Sequence, residues 1–262
     1  MTVPKTHFDR GLKESTNIGS LHCPAFRGRH DEMKLLRLAF VFLVLGCGTV
    51  TAQRSIGFVS PNTRDDLNLT EAIQGMNSPD EAKLLSRARS LGCVIRRKIT
   101  ATEAVGSWRD GAEHSVLIRI SAEESAIRYL MSRLGRDANQ KAVIYFHPRP
   151  RRLARLYVID HILDRNFRQL GNVLDEEGIA FRTLVPARHG TMIYIIDLDN
   201  TLGRKVHEAA KRLRKRVTSQ KGDAAFIGDD SSRDKGQAVF AQEIKKYELK
   251  HPKLPPPCEG NQ

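Results

Sequence analysis

Residues 115–135, SVLIRISAEESAIRYLMSRLG, carry the clearest structural pattern in the chain. The first part, Ser115 to Ile120, is rich in β-branched and apolar residues, which predicts a β-strand. Ser121 and Glu124 then have the spacing of a capping box, which marks the start of a helix. Apolar residues follow at helical spacing as far as Gly135, so the stretch predicts one strand followed by one amphipathic helix.

Further segments extend this unit along the chain. Residues 141–146 and 156–159 have strand patterns, residues 160–177 have a helical pattern that ends at Gly178, and residues 179–185 form a further strand pattern. The order β-α-β-β-α-β is that of a split β-α-β motif. It predicts the α+β class, with a ferredoxin-like antiparallel sheet covered by helices.

Flanking segments complete a single α+β domain predicted over residues 78–250. Ser78, Pro79 and Glu81 have the arrangement of a capped helix start. The other predicted elements are a strand over 94–100, a C-terminal strand over 191–198, and helices near 202–217 and 235–250. Residues 53–77 are predicted to be a flexible segment, and residues 251–262 a proline-rich tail.

Residues 33–52 have the three parts of a secretory signal peptide. Lys34 and Arg37 form a positive flank, an apolar run follows, and residues 50–52 form a cleavage site of small or β-branched residues. The apolar run is shorter than the roughly 20 residues that a membrane-spanning helix needs. The pattern predicts an exported protein, periplasmic or secreted, that is cleaved after Ala52.

Two further expectations concern this leader. Met33 directly precedes the positive flank, so translation is expected to start there, with residues 1–32 as an upstream extension. Residues 44–47, VLGC, loosely match the bacterial lipoprotein cleavage pattern. The alternative to soluble export is therefore a lipoprotein anchored through Cys47.

The charge of the chain favours an anionic partner. The formal net charge is +13, and removal of residues 1–52 takes away seven basic and four acidic residues. A protein with such an excess of cations attracts polyanions. The sequence has no CxxC pair and no Cys/His cluster, which disfavours a zinc site, and we expect no metal and no cofactor.

Cys93 and Cys258 are the cysteines that remain after cleavage of the leader. In an oxidising compartment they either form a disulfide that pins the proline-rich tail, or stay as a buried thiol and a free tail thiol. The sequence leaves both alternatives open.

Two basic runs contain the candidate binding residues. They consist of Arg149, Arg151, Arg152 and Arg155 between two predicted strands, and of Lys211, Arg212, Arg214, Lys215 and Arg216 at the end of a predicted helix. Cations at a helix C-terminus are partly accommodated by the macrodipole. The functional interpretation is attraction to an anionic lipid, a cell-envelope polymer or another polyanion. Neither run has an aromatic pair on which bases could stack, so sequence-specific nucleic-acid binding is not expected.

Trp108 is the only tryptophan and is followed by the polar residues RDGAEHS, 109–115. The segment predicts a loop anchored by Trp108, with Asp110-Gly111 as its turn, and it is either a binding loop or a plain connection. A Ser–His–Glu triad is disfavoured there. On a strand, His114 would point away from both Glu113 and Ser115.

The stretch DLDNTL, residues 197–202, follows an apolar strand pattern, and FIGDD, residues 226–230, follows further on. These two pieces resemble the nucleophile motif and the acidic metal-binding loop of the haloacid dehalogenase-like phosphatases. The resemblance implies Asp197 as nucleophile, Asp199 as acid/base, and a Mg²⁺ site that includes Asp229. The other interpretation is a strand-to-helix junction in which Asp199 or Thr201 caps the following helix.

No motif in the chain reaches the strength of a catalytic signature. We therefore predict an exported, non-enzymatic α+β module that binds an anionic envelope or extracellular partner through its basic runs or the Trp108 loop. The alternative is a small exported Mg²⁺-dependent phosphatase-like hydrolase that uses Asp197 and Asp199.

Overall fold

The computed structural model describes residues 54–61, 71–72, 78–108, 111–148, 154–162, 167–179, 181–187 and 190–258. The strands in this part of the chain are β1 (Ser55–Val59), β2 (Ile99–Trp108), β3 (Gly111–Ile120), β4 (Ala142–His147), β5 (Ala154–Ile162), β6 (Arg182–Ala187), β7 (Gly190–Asp197) and β8 (Val217–Gly228). The helices are α1 (Pro79–Val94), α2 (Glu124–Asp137), α3 (Phe167–Glu176), α4 (Gly203–Arg212) and α5 (Arg233–Lys250).

The eight strands form one closed antiparallel barrel in the order β1-β3-β2-β6-β7-β5-β8-β4. β4 pairs back to β1, with Ile56 opposite Phe146, and this pairing closes the ring. Each half of the chain has the element order β-α-β-β-α-β: β1 to β4 with α1 and α2, then β5 to β8 with α3 and α4. The two halves join through the pairs β2–β6 and β4–β8.

The predicted open ferredoxin-like sheet is therefore wrong. The predicted motif covers residues 115–185. In the structure this range is the end of the first half followed by the start of the second half. Three strands have no counterpart among the predicted elements: β1, within the segment predicted to be flexible, most of β2, and β8. β1 is only five residues long, and β2 and β8 are rich in small or polar residues. Closure has a physical advantage, since two separate half sheets would leave unpaired N–H and C=O groups along their edge strands β2, β4, β6 and β8.

The barrel has an apolar interior and two apolar layers outside it. Ile56, Phe58 and Leu117 belong to the inner cluster, and alternate residues of the same strands point outward. Outside, α1, α2 and α5 cover the first half, and α3 and α4 cover the second half. The outward Gly57 leaves room for the side chain of Met131 from α2.

Helix starts show how far local signals hold. At α1 the predicted capping box is confirmed: the Glu81 N–H donates to Ser78 Oγ (3.2 Å), and the Ser78 N–H donates to Glu81 Oε2 (3.0 Å). At α2 the predicted box of Ser121 and Glu124 is wrong. That helix begins at Glu124, its N-cap is Glu123, and no side chain caps it.

Four helices end in the same hydrogen-bonded turn. At α1, the Arg96 N–H donates to Cys93 O (3.0 Å) and the Arg97 N–H donates to Gly92 O (2.8 Å), which is a Schellman motif. This motif needs a left-handed backbone just beyond the helix. The residues with that conformation at the ends of α1 to α4 are Arg96, Asn139, Gly178 and Arg214.

Cys93 and Cys258 form a disulfide, with their Cα atoms 5.7 Å apart. Ser90 makes two further contacts to the tail: its Oγ donates to Cys258 O (2.8 Å), and its carbonyl accepts from the Cys258 N–H (3.4 Å). The tail that follows α5 is thus fastened to α1.

The predicted extension over 1–32, the predicted signal peptide over 33–52 and Cys47 lie outside the described residues. Within the described ranges, no helix is both long and apolar enough to cross a membrane.

Candidate functional site

Asp197 ends β7 and is fully buried, with a relative exposure of 0%. Its carboxylate accepts hydrogen bonds from the N–H of Thr201 (3.0 Å) and the N–H of Leu202 (3.0 Å), just before α4. Burial raises the pKa of Asp197, and hydrogen bonding with Asp199 raises it further, while the two backbone donors lower it. In this geometry Asp197 is a structural carboxylate that holds the turn between β7 and α4.

The other two aspartates of the phosphatase resemblance are held locally as well. Asp199 accepts from Thr201 Oγ1 (2.8 Å), and this bond lowers the pKa of Asp199. Asp229 accepts from the side chain and the N–H of Ser231, and these bonds lower its pKa. Each aspartate is therefore part of a turn.

Strand register separates Asp229 from the other two. Asp197 lies opposite Arg155, and Arg155 lies opposite Lys221. Asp229 directly follows Gly228, and Gly228 lies seven residues, or about 23 Å, beyond Lys221 along β8. The described residues contain no group of three His, Cys, Asp or Glu side chains that could hold a metal. The phosphatase hypothesis stays a prediction that the geometry does not support.

The first basic run is only partly described. Arg149, Arg151 and Arg152 lie outside the described residues. Arg155 is on β5 and points to the outer face, where its guanidinium lies 5.9 Å from the centroid of the Tyr157 ring and donates to Ser219 Oγ (3.2 Å).

The second basic run divides into a structural arginine and free cations. Arg212 donates to Glu176 Oε2 (2.6 Å) and forms an ion pair with Glu177 (2.9 Å), so it holds α4 against α3. Lys211, Arg214 and Arg216 are exposed, and none forms an ion pair with another described residue. Only these three and the half-buried Lys215 are available to a partner.

A basic strip lies along the chain from the end of α4 into β8 and includes one residue of the neighbouring strand β5. We define it as Arg155, Lys211, Arg214, Lys215, Arg216 and Lys221. β8 begins at Val217, directly after Arg216, and Lys221 lies about 13 Å further along the strand. Lys221 lies opposite Arg155, and both share the outer face with Tyr157, whose ring contacts His207 of α4. The strip is therefore a group of cations that follows the chain from the end of α4 into β8, with Arg155 beside it on the paired strand.

Most of the segment predicted to be a loop at Trp108 belongs to two paired strands, β2 and β3, on either side of residues 109 and 110. Trp108 is the last residue of β2 and Gly111 the first of β3, and the two pair with each other. The side chain of Trp108 lies outside the described part, as do Arg109 and Asp110. The expected alternation of side chains along the strand is present. Val105 pairs with His114, and Gly106 pairs with Glu113. The two pairs lie on different faces of the sheet.

His114 finds its acidic partner on a helix. Glu81 of α1 is completely buried, and its Oε1 lies 4.0 Å from His114 Nδ1. The Ser60 hydroxyl donates to the carbonyl of His114 (2.7 Å), which fixes the strand next to this pair. The pairing of residues 81 and 114 could not be read from their spacing in the sequence.

Sequence patterns also missed a polar row that crosses three strands. Ser55 of β1, His147 of β4 and Asp223 of β8 occupy neighbouring positions on the outer face, and Ser55 Oγ shares a hydrogen bond of 2.6 Å with His147 Nδ1. The residues are those of a hydrolase triad, but Ser55 has 0% exposure, so no substrate reaches its hydroxyl. Burial lowers the pKa of His147, while the charge of Asp223 raises it.

No protein-family model matches the chain, and no curated protein is significantly similar to it. Two solved structures resemble it, each described provisionally as a monooxygenase. One is from Lactobacillus acidophilus, with 11% identity over 68% of this chain and 96% of that chain, and a TM-score of 0.23. The other is from Fusobacterium nucleatum, with 8% identity over 66% of this chain and 93% of that chain, and the same TM-score. Similarity at this level carries no inference about function.

Proposed function

We propose that the protein is an exported, non-enzymatic binding module that holds an anionic polymer of the cell envelope on its basic strip. The observation that carries the proposal is the exposure of Lys211, Arg214 and Arg216 on a turn where no described carboxylate pairs with them. Clustered cations that no carboxylate neutralises attract polyanions through long-range electrostatics.

The arrangement of the strip favours a linear partner. Its cations follow the chain from the end of α4 along β8, so successive anionic groups of one extended polymer would meet successive cations.

Export is part of the proposal. It is supported by the signal-peptide pattern of residues 33–52 and by the disulfide between Cys93 and Cys258. Disulfides persist in oxidising compartments and are rare where thiols are kept reduced.

Heparin, a sulfated polymer, serves as the probe in a binding titration at several salt concentrations. The double variant Lys211→Gln/Arg216→Gln removes two cations of the strip. The matched control, Arg204→Gln/Lys205→Gln, removes two exposed cations from the first turn of the same helix. Binding of this kind weakens steeply with salt, and we expect the strip variant to bind more weakly and with a shallower salt dependence than the control.

Equal loss of heparin affinity in the two double variants would contradict the proposal, since it would mean that only net charge matters. Stronger binding to vesicles of anionic phospholipid than to heparin would replace the polymer with a lipid surface as the partner.

A further inference from the structure

A second concave surface lies between the ends of three helices and shares no residue with the basic strip. It is a groove of about 670 Å³ between the C-terminus of α1, the N-terminal turn of α2, and the C-terminus of α5 with its tail. This volume is within the range of about 300–1,000 Å³ that small-molecule sites occupy.

The groove has an apolar floor. Val94, Ala126, Tyr247 and Leu254 line it. The ring of Tyr247 stacks on that of Tyr129 (ring centroids 4.5 Å apart) and has the tilted ring of His251 beside it (4.2 Å). This aromatic column is held by the buried core of the first half of the barrel. The floor is therefore a fixed apolar surface that suits the hydrocarbon or aromatic part of a ligand.

The rim of the groove is cationic. Arg96, Arg97, Lys250 and Lys253 line it and are exposed, and the single carboxylate in the lining belongs to Glu123. No described residue forms an ion pair with any of these four cations. The charge of the rim is therefore left to a ligand or to solvent.

Arg96 has an unfavourable backbone for an arginine. Its φ is +53°, and a left-handed conformation costs a residue with a Cβ roughly 1–2 kcal/mol, whereas glycine adopts it readily. The side chain of Arg96 is thus kept at the groove against the backbone preference of the turn. Backbone strain of this kind clusters at functional sites, and this motivates a role for the Arg96 side chain in the groove.

One wall of the groove depends on the disulfide. Lys253 and Leu254 lie in the tail, which is fastened to α1 through Cys258 and Cys93 and through the two bonds of Ser90. Without the disulfide the tail would keep only the two hydrogen bonds of Ser90 and the packing of Leu254 against the core, so we expect this wall to loosen.

We propose that this groove binds an amphiphilic anion, a small molecule with an apolar body and a phosphate or carboxylate headgroup. The apolar body lies on the Tyr247 floor, and the headgroup lies between Arg96 and the cations of α5 and its tail. The site stands independently of the polymer-binding strip, because different residues carry it.

The test uses the purified protein with anilinonaphthalene sulfonate, an aromatic anion whose fluorescence reports on binding to apolar sites. Three competitors are added below their aggregation concentrations: dodecyl phosphate, dodecanol and inorganic phosphate. We expect dodecyl phosphate to displace the dye at much lower concentrations than dodecanol or inorganic phosphate. Only dodecyl phosphate has both an apolar chain for the floor and an anionic headgroup for the cationic rim.

Arg96→Gly and Arg214→Gly form the matched pair of variants. Both relieve a left-handed arginine at a helix end, but only Arg96 lines the groove. We expect Arg96→Gly to weaken displacement by dodecyl phosphate about threefold to tenfold, as loss of one ionic contact does, and Arg214→Gly to leave it unchanged. Cys258→Ser should weaken it as well, because the tail is released.

Equal displacement by dodecanol and dodecyl phosphate would overturn the proposal, and so would equal affinity of the Arg96→Gly and Arg214→Gly proteins. Both outcomes are separate from the heparin result. If the heparin test fails and the dye-displacement test succeeds, the strip proposal is wrong. The reverse result would show that the groove proposal is wrong.

Discussion

Arg96 and Arg214 occupy equivalent positions at the ends of α1 and α4: each is the first residue beyond the helix cap, with φ of +53° and +54°. Glycine is the usual residue at this position because it has no Cβ to clash with the preceding turn. Arg96 lines the groove, and Arg214 belongs to the basic strip. The two candidate sites are thus each next to a helix end that carries backbone strain.

Replacement of either arginine by glycine is expected to stabilise the fold. The left-handed strain of about 1–2 kcal/mol is relieved, and the greater freedom of glycine in the unfolded chain offsets about 0.4–1 kcal/mol of this gain. The free energy of unfolding, measured by urea denaturation, should rise by about 0.5–1 kcal/mol in both variants. A loss of stability in both would mean that the arginine side chains contribute more to packing than the strain costs.

Asp197 is expected to contribute to stability through its two backbone hydrogen bonds. Asp197→Ala removes the acceptor of the Leu202 N–H and one of the two acceptors of the Thr201 N–H, and should lower the free energy of unfolding by about 1–3 kcal/mol. Asp199→Ala, at an exposed carboxylate, should have a smaller effect. If both variants kept full stability but abolished Mg²⁺-dependent hydrolysis of a phosphate ester, the phosphatase alternative would be established.

His147 is expected to make the fold sensitive to mild acid. Burial holds the pKa of His147 below its usual value of about 6.5, so the unfolded chain takes up the proton first as the pH falls. Stability due to this residue is fully present above about pH 6.5 and is lost as the pH falls toward the folded-state pKa. The melting temperature of His147→Gln should therefore depend less on pH between 7 and 5 than that of the wild type. A steeper dependence in the variant would assign the acid sensitivity to other groups.

The disulfide is expected to contribute strongly to stability, because it closes a very long loop. Its cysteines are 165 residues apart, and removal of a native disulfide typically costs about 2–5 kcal/mol. The double variant Cys93→Ser/Cys258→Ser should unfold at lower urea concentration than the wild type. The intact mass of the secreted protein should also show cleavage after Ala52 and the loss of two hydrogens. A mass with free thiols, or with the leader retained, would contradict export with oxidation.

Local signals predicted local structure, and the barrel depends on contacts that are not local. The Ser78–Glu81 capping box could be predicted because both partners lie within one helical turn. The pairs that join the halves, such as Val105 with Leu184 and His147 with Asp223, connect residues about 80 positions apart, and no strand pattern specifies them. The pattern of strands and helices in the sequence also does not indicate where the first β-α-β-β-α-β half ends and the second begins.

The candidate sites follow the same distinction. The basic run at 211–216 was visible in the sequence as a cluster of charge, but only the structure separates Arg212, which is paired with Glu176, from the cations that remain exposed. The groove was not predictable, since Arg96 and Lys253 line it together although they are far apart in the sequence. The like-charged pair of Arg155 and Lys221 depends on strand register in the same way.

Lysine footprinting in the presence of heparin tests the central claim most directly. The protein is acetylated at a low concentration of the reagent, with and without heparin. The extent of modification of each lysine is then quantified by mass spectrometry. We expect heparin to protect Lys211 and Lys221 of the strip, while Lys83 of α1 and Lys141, both exposed, remain equally reactive. Protection of Lys250 and Lys253 without protection of Lys211 would place the polymer in the groove and contradict the assignment of the basic strip as its binding site.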